Sequence, residues 1–399
     1  MRRLLSAREI AIWIAFFLLI SALLVVTGFT SDDPDSALYA ALSARLADGP
    51  ASHWIAPEWW GHWDMEGLFR EHPAGVFALP TLLGALGVPG VQAAYIVGIA
   101  AGLAALLIIG SLVARDTSRE EGRLAIVLLQ LMPMASIFRI RANHEYPMLV
   151  CLLVALVGFD AVRRSWRWWW IAPVALTAGL LVKGVFVIIP LLAAGFWVIT
   201  NPLRAPGSIW RAIGVGFVSL ALMLGVALVY DRVYLHVAGE AFWGPYWGRQ
   251  LAPLTIATPG EGGSTLGAHL WFYAIRMAWH PAPWSLALVA ALWRWRGTLT
   301  ERWRALPDAE RRGLVFCVAF ALTCVLALSP ASRFAERYIF SANYALATAG
   351  AIVASRAWPG IARLVRRLDA RVPALPAVCW LVLMLLRLTL GPLLPRISS

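Results

Sequence analysis

Long apolar runs alternate with short polar breaks along almost the whole chain. A run that crosses a bilayer core needs about 20 apolar residues, with roughly 17–25 the usual range. Such runs fall near 10–29, 91–114, 124–141, 147–162, 168–182, 184–200, 212–230, 280–295, 314–330, 338–355 and 374–393. The pattern predicts an all-α polytopic membrane bundle of about 11 spans. One further run, 73–88 (PAGVFALPTLLGALGV), has only 16 residues and contains Pro80. Short arginine-rich loops stay on the cytoplasmic side of a membrane. If 73–88 stays at the interface, the loops on the side of the amino terminus hold 22 basic residues and the opposite side 11. If it crosses, the bias reverses. The expectation is therefore an interfacial or re-entrant helix at 73–88, with the amino terminus cytoplasmic.

Composition agrees with this layout. Of 399 residues, 60% are hydrophobic and 14% charged, against about 25% charged in soluble domains. Mean hydropathy is +0.71. That balance excludes a soluble enzyme on a small anchor, a disordered protein and a nucleic-acid binder. The net charge of +12 matters less than where the charges lie. Cys151, Cys317, Cys324 and Cys379 sit inside apolar runs, which predicts packed thiols. No Cys/His spacing suggests a metal site. The first run exceeds a signal-peptide core and leads into an acidic stretch, so a retained span is expected.

This topology collects the unusual residues on the outer face. The first outer loop opens SDDPDSALYAALSARLADG. Asp33 before Pro34 marks a helix start. Leu38, Leu42 and Leu46 then give a narrow apolar stripe, as on a helix lying along the membrane surface. Asp35 and Tyr39 share an adjacent strip. Asp35 reads either as dipole compensation in a first turn or as a functional carboxylate. The tryptophans of HWIAPEWWGHWDMEG suit the membrane boundary, although aromatic faces also stack on sugar rings. Glu71-His72-Pro73 leads into the interfacial helix.

The next outer turn, RIRANHEYP, places Arg139, Arg141, His144 and Glu145 at the mouth of two apolar helices. Such charges are costly there without partners, and a local Arg–Glu pair is the plain structural alternative. Lys183-Gly184 interrupts LLVKGVFVI, and Lys183 is the single lysine among 34 basic residues. It either snorkels to the interface or holds a phosphate as a compact charge. SPASRFAERYIF sets Arg333 and Arg337 four apart, able to reach one anion if helical, with Tyr338 adjoining. Cations that hold a lipid-linked phosphate beside a carboxylate that accepts a hydroxyl proton give the natural chemical reading.

These motifs, in this order over about 30–358, resemble the lipid-dependent, GT-C-type glycosyltransferases, a group that includes bacterial aminoarabinose and galacturonic-acid transferases and protein O-mannosyltransferases. The features are Asp35 with Tyr39, Glu71-His72-Pro73, the turn with Arg141 and Glu145, the Lys183-Gly184 break, Pro283-Trp284, and Ser329 to Tyr338. The resemblance implies an inverting transfer of a monosaccharide from a polyprenyl-phosphate donor to a lipid, glycan or protein acceptor. It implies Asp35 as general base and Glu145 as a second catalytic acid. Lys183, Arg333, Arg337, Tyr338, His72 and Arg141 would hold the donor phosphate, and Tyr39, Glu71 and His144 would line the substrate site. The chain departs from the family pattern at Ser36, where a second acid is common, and at His72, where lysine is common.

One transmembrane domain over 1–399 is expected, with outer loops at 30–90 and 231–279 and no soluble carboxy-terminal domain. No metal is required by the chemistry, because a phosphate monoester leaving group develops modest charge; a divalent ion remains compatible. The expected location is a bacterial inner membrane with the site facing the periplasm, in contact with membrane lipids and without nucleic acid. Two competing readings stay open: a carrier or flippase for a lipid-linked or anionic substrate, and a non-catalytic relative.

Overall fold

The computed structural model describes residues 4–59, 67–200, 208–251, 266–330, 335–372 and 374–390. They form a bundle of α-helices, and the only β pairing among them is the isolated Glu58–Leu68 bridge. Among the described residues, seven helical segments are long and apolar enough to cross a membrane, or eight if one bent pair counts as a span. The expected all-α membrane bundle is what the chain forms. The figure of about 11 spans is not reached by whole helices, because several apolar runs are broken.

Helix α1 (Ala7–Thr27) starts at a capping box in which Ser6 and Glu9 satisfy each other's backbone. Helix α2 (Pro34–Asp48) is capped by Asp33, whose carboxylate accepts from the Ser36 N–H at 2.9 Å. Its leucine stripe corrects the expectation of a helix apposed to lipid. Leu42 and Leu46 are buried against Phe69, Ala74 and Phe77, so the stripe faces protein. Helix α3 (Gly75–Ala85) is 11 residues long with Pro80 inside, about 16 Å at 1.5 Å per residue and too short to cross. It packs between α2 and α4 (Gly90–Asp116).

The run at 124–141 is two helices, α5 (Arg119–Leu129) and α6 (Pro133–Phe138). Together they run back along α4: Gly110 faces Ile126, and Gly98 faces the Arg141 carbonyl. Backbone freed within a membrane must find protein partners. Here the Trp284 indole donates to Leu128 O at 2.7 Å, Arg139 donates to Gln130 O at 2.6 Å, and the Met134 N–H donates to His280 O at 3.1 Å.

Helix α7 (Glu145–Arg164) is followed by a 35-residue helical run, 166–200. That run contains α8 (Ile171–Lys183), a short turn at Gly184–Val187, and α9 (Ile188–Thr200). Ala172 packs on Gly158, and Lys183 reaches Glu145, so α8 runs antiparallel to α7. Trp197 on α9 lies under Arg115, which binds Asp160 near the far end of α7. The chain therefore turns back at Lys183. After α10 (Ser208–Ala238) and α11 (Trp243–Tyr246) come α12 (Leu266–Trp279), α13 (Trp284–Trp295), α14 (Leu299–Ala305), α15 (Asp308–Leu328) and α16 (Phe340–Ala357). Helices α17 (Pro359–Arg371) and α18 (Leu375–Leu390) meet at 92°.

The arginine-rich loops gather at one end of the bundle. Arg123 joins Glu9 and Asp369, Arg356 holds Glu310 at 2.9 Å, and Arg366 holds Glu121 at 2.9 Å. Cys151, Cys317 and Cys324 are buried free thiols and Cys379 is half-buried. An apolar cavity of about 80 Å³ lies between α4, α7, α9, α15 and α16, lined in part by Leu152, Trp197, Phe320 and Tyr344. None of the sequence-predicted site residues lines it.

Candidate active site

The opposite end of the bundle holds the candidate residues, and their contacts close a ring. Asp35, in the first turn of α2, pairs with Arg337, which lies in the short turn before α16. Both side chains remain about two-fifths exposed, at 42% and 39%. Tyr338 tilts onto Phe186 with centroids 5.1 Å apart. Lys183 Nζ stands over the same Phe186 ring at 5.2 Å and binds Glu145 Oε2 at 2.8 Å. His144 Nε2 lies 3.1 Å from that oxygen, and His144 Nδ1 is 3.1 Å from the Tyr39 hydroxyl. Tyr39 is one helical turn beyond Asp35, which completes the circuit.

The ring has an exposed half and a buried half. Glu145, Lys183 and His144 are all buried, each with at most about 5% of its surface accessible. A carboxylate and an ammonium so withdrawn from water are tolerable only as a pair. The Lys183 ammonium is thus engaged with a carboxylate rather than free for a phosphate. Glu145 Oε1 is buried with no hydrogen-bond partner among the described residues. Burial lifts the Tyr39 phenol well above its ordinary pKa, with the Glu145 charge adding to it, so the hydroxyl keeps its proton and can donate to His144 Nδ1. That leaves the Nε2–H tautomer facing the carboxylate.

His72 is buried beside this group. Its ring meets His144 edge-on at 4.4 Å and stacks over Tyr39 at 6.4 Å. Burial, then the neighbouring His144 and Lys183, push its pKa well below the ordinary value. His72 is neutral, and it sits in the wall of the site as an aromatic ring, without the charge a phosphate grip needs.

Arg141 lies 3.2 Å from Asp33 and over the Phe138 ring at 4.3 Å. Asp33 therefore serves as both cap and counter-ion, and Ser36 bridges the two loops through its Oγ, which accepts from the Ala142 N–H at 3.2 Å. Glu71 holds Arg249 at 2.8 Å and Gln250 at 2.6 Å, and its charge reaches Tyr39 and His144 of the ring. Arg333 lies outside the described residues. Gly184 takes a left-handed φ of 60°, and a Cβ there would collide with the Tyr246 hydroxyl, which accepts from the Val185 N–H at 3.2 Å. The glycine after Lys183 is thus required by both backbone and neighbour.

Residues 71–230 match the family model of dolichyl-phosphate-mannose-protein mannosyltransferases. The structure is similar to that of ArnT from Cupriavidus metallidurans bound to undecaprenyl phosphate, with a TM-score of 0.66 and 13% identity, covering 96% of this chain and 76% of ArnT. For ArnT in the apo state the TM-score is 0.60 at 14% identity, covering 94% and 75%. No curated protein sequence matches the chain. This is the GT-C fold.

Within the GT-C bundle, four further residues contribute to the site that the sequence analysis does not single out. Phe186 links Lys183 to Tyr338; it looks in sequence like any apolar residue of a span. Arg249 and Gln250 bring the segment after α11 onto Glu71, from a stretch without a motif. His280 Nε2 lies 3.2 Å from Glu336 Oε2 and so anchors the residue next to Arg337. Its signal was present, as a histidine beside the Pro283-Trp284 pair. Among the described residues, no group of three His, Cys, Asp or Glu side chains is placed to hold a metal.

Proposed function

We propose that this chain is a polyprenyl-phosphate-dependent glycosyltransferase, one transmembrane domain with loops 30–90 and 231–279 over its site. The Asp35–Arg337 pair carries this reading. It joins a carboxylate and a cation 302 positions apart, at the water-accessible rim of an otherwise buried charged cluster. The GT-C fold, the family match over 71–230 and the undecaprenyl phosphate in the ArnT complex support a lipid-phosphate donor.

In this reading the donor phosphate takes a share of Arg337, which frees Asp35 to act as base. An acceptor hydroxyl oxygen attacks the anomeric carbon as Asp35 removes its proton. The bond from that carbon to the phosphate oxygen breaks, and polyprenyl phosphate leaves with the electron pair. Attack from the face opposite the phosphate inverts the anomeric centre. Arg337, with Arg141 nearby and Arg333 from the same segment, stabilises the charge that develops on the leaving phosphate. Lys183 and Glu145 position this site through Phe186 and Tyr338 on one side and through His144 and Tyr39 on the other. The transfer takes place on the periplasmic side of a bacterial inner membrane, the side opposite the arginine-rich loops.

The test supplies purified protein with a panel of polyprenyl-phosphate sugars and a crude membrane extract as acceptor. Release of polyprenyl phosphate matched by a glycosylated product is expected for one donor. Movement of a lipid-linked sugar across liposomes with no covalent product would instead assign a carrier.

A further inference from the structure

Helix α17, at the end of the bundle away from the site, presents three distinct faces. Ala362 is buried, Asp369 accepts from Arg123 at 2.5 and 2.6 Å, and Arg366 holds Glu121 at 2.9 Å. That face docks the helix on α5. Ile361, Leu364 and Leu368 follow helical spacing on a second face and are 40–58% exposed. Arg363, Arg367 and Arg371 recur every four residues on the third, all exposed. Among the described residues, these three arginines make no ion pair or hydrogen bond. The 92° turn into the apolar helix α18 lays α17 along the membrane plane if α18 is taken to cross it.

A helix in that plane sinks an apolar stripe to the acyl boundary and sets a flanking basic row at head-group depth. We propose that the Arg363–Arg367–Arg371 ladder binds the head groups of anionic phospholipids in the leaflet at this end of the bundle. Charge complementarity selects the occupant. Three unpaired guanidinium groups spaced about 6 Å apart along the helix match the phosphates of adjacent lipids with net negative charge, whereas a zwitterionic head group cancels its own phosphate. Each basic residue near a charged leaflet strengthens binding by about fivefold. The internal pairs Arg366–Glu121 and Arg123–Asp369 fix the angle at which the ladder is presented.

Native mass spectrometry of the detergent-purified full chain, given equimolar phosphatidylglycerol and phosphatidylcholine, tests this. Wild type is expected to retain phosphatidylglycerol preferentially. The R363Q/R367Q/R371Q variant should lose at least tenfold of that retention with phosphatidylcholine unchanged, and R367Q alone should lose about fivefold. The R363K/R367K/R371K variant keeps the charge and should keep the lipid. All three positions are exposed, and thermal unfolding checks that each variant is folded. Unchanged phosphatidylglycerol retention in R363Q/R367Q/R371Q would overturn the proposal. So would an equal loss in R294Q/R296Q/R304Q, which neutralises arginines near α13 and α14 and leaves the ladder intact.

Discussion

Lys183 Nζ lies 2.8 Å from Glu145 Oε2, and the two side chains retain 5% and 1% of their accessible surface. The single lysine of the chain and the first residue of α7 are thereby one electrostatic unit. Removing one partner strands the other charge away from water, at a cost of about 3–5 kcal/mol. Replacing both by apolar groups of similar volume removes that penalty.

Lys183→Met should therefore unfold at a markedly lower temperature than wild type, and Lys183→Met with Glu145→Leu should recover most of the loss. Thermal melts in one detergent check this. Two single variants that melt as the wild type does would show that the pair is dispensable to the fold.

The Asp35–Arg337 pair is of the opposite kind. With about two-fifths of each side chain exposed, it is worth at most about 1 kcal/mol after screening by water and salt. Arg337→Gln should leave the melting temperature within a few degrees of wild type while raising the donor KM at least tenfold, about 1.4 kcal/mol of donor binding. A donor KM and a kcat both unchanged in Arg337→Gln would place Arg337 outside the site.

His72 and His144 give the fold a defined response to acid. Burial is the largest cause depressing both pKa values below the ordinary 6.5. The unfolded chain takes up protons near pH 6.5, and the folded chain takes them up only at lower pH. Their contribution to stability is thus complete above about 6.5 and is lost as pH falls through the folded pKa values. Melting temperatures should drop between pH 7.5 and 5, and less steeply in His72→Gln. A profile identical in His72→Gln would remove His72 from the account.

Trp284 carries a structural prediction. Its indole N–H donates to Leu128 O at 2.7 Å across the break between α5 and α6. Trp284→Phe removes one bond to Leu128 O, which still accepts from the Leu131 N–H at 3.1 Å, and should cost about 0.5–1.5 kcal/mol, with turnover per folded molecule unchanged. A turnover defect without a stability defect would give the Pro283-Trp284 segment a part in the chemistry.

What could be read from sequence follows the range of the interactions. The Asp33 cap and Pro34 start are contained within one helical turn, so the beginning of α2 was legible. The break at Lys183-Gly184 was visible as a polar interruption of an apolar run. Periodicity says which residues share a face and not what that face meets: the Leu38–Leu42–Leu46 stripe reads as that of a helix on the membrane surface, yet Leu42 and Leu46 pack against Phe69, Ala74 and Phe77. The run at 124–141 reads as continuous because its break is held by Trp284 and Arg139, partners that no local pattern announces. Glu145 and Lys183 are 38 positions apart, and Asp35 and Arg337 are 302 apart. Each residue could be singled out as unusual, but only the folding of α2, α7, α8 and the turn before α16 onto one end of the bundle pairs them. The neutrality of His72 is likewise a property of its burial.

The central claim is that Asp35 removes the acceptor proton at a site that holds a polyprenyl-phosphate sugar. The most direct measurement compares wild type with Asp35→Asn, using radiolabelled donor to read both equilibrium binding and release of polyprenyl phosphate. The account predicts release at least a thousandfold slower in Asp35→Asn, of the order of general-base contributions, with donor affinity within a few fold of wild type. Release at the wild-type rate by Asp35→Asn would contradict it.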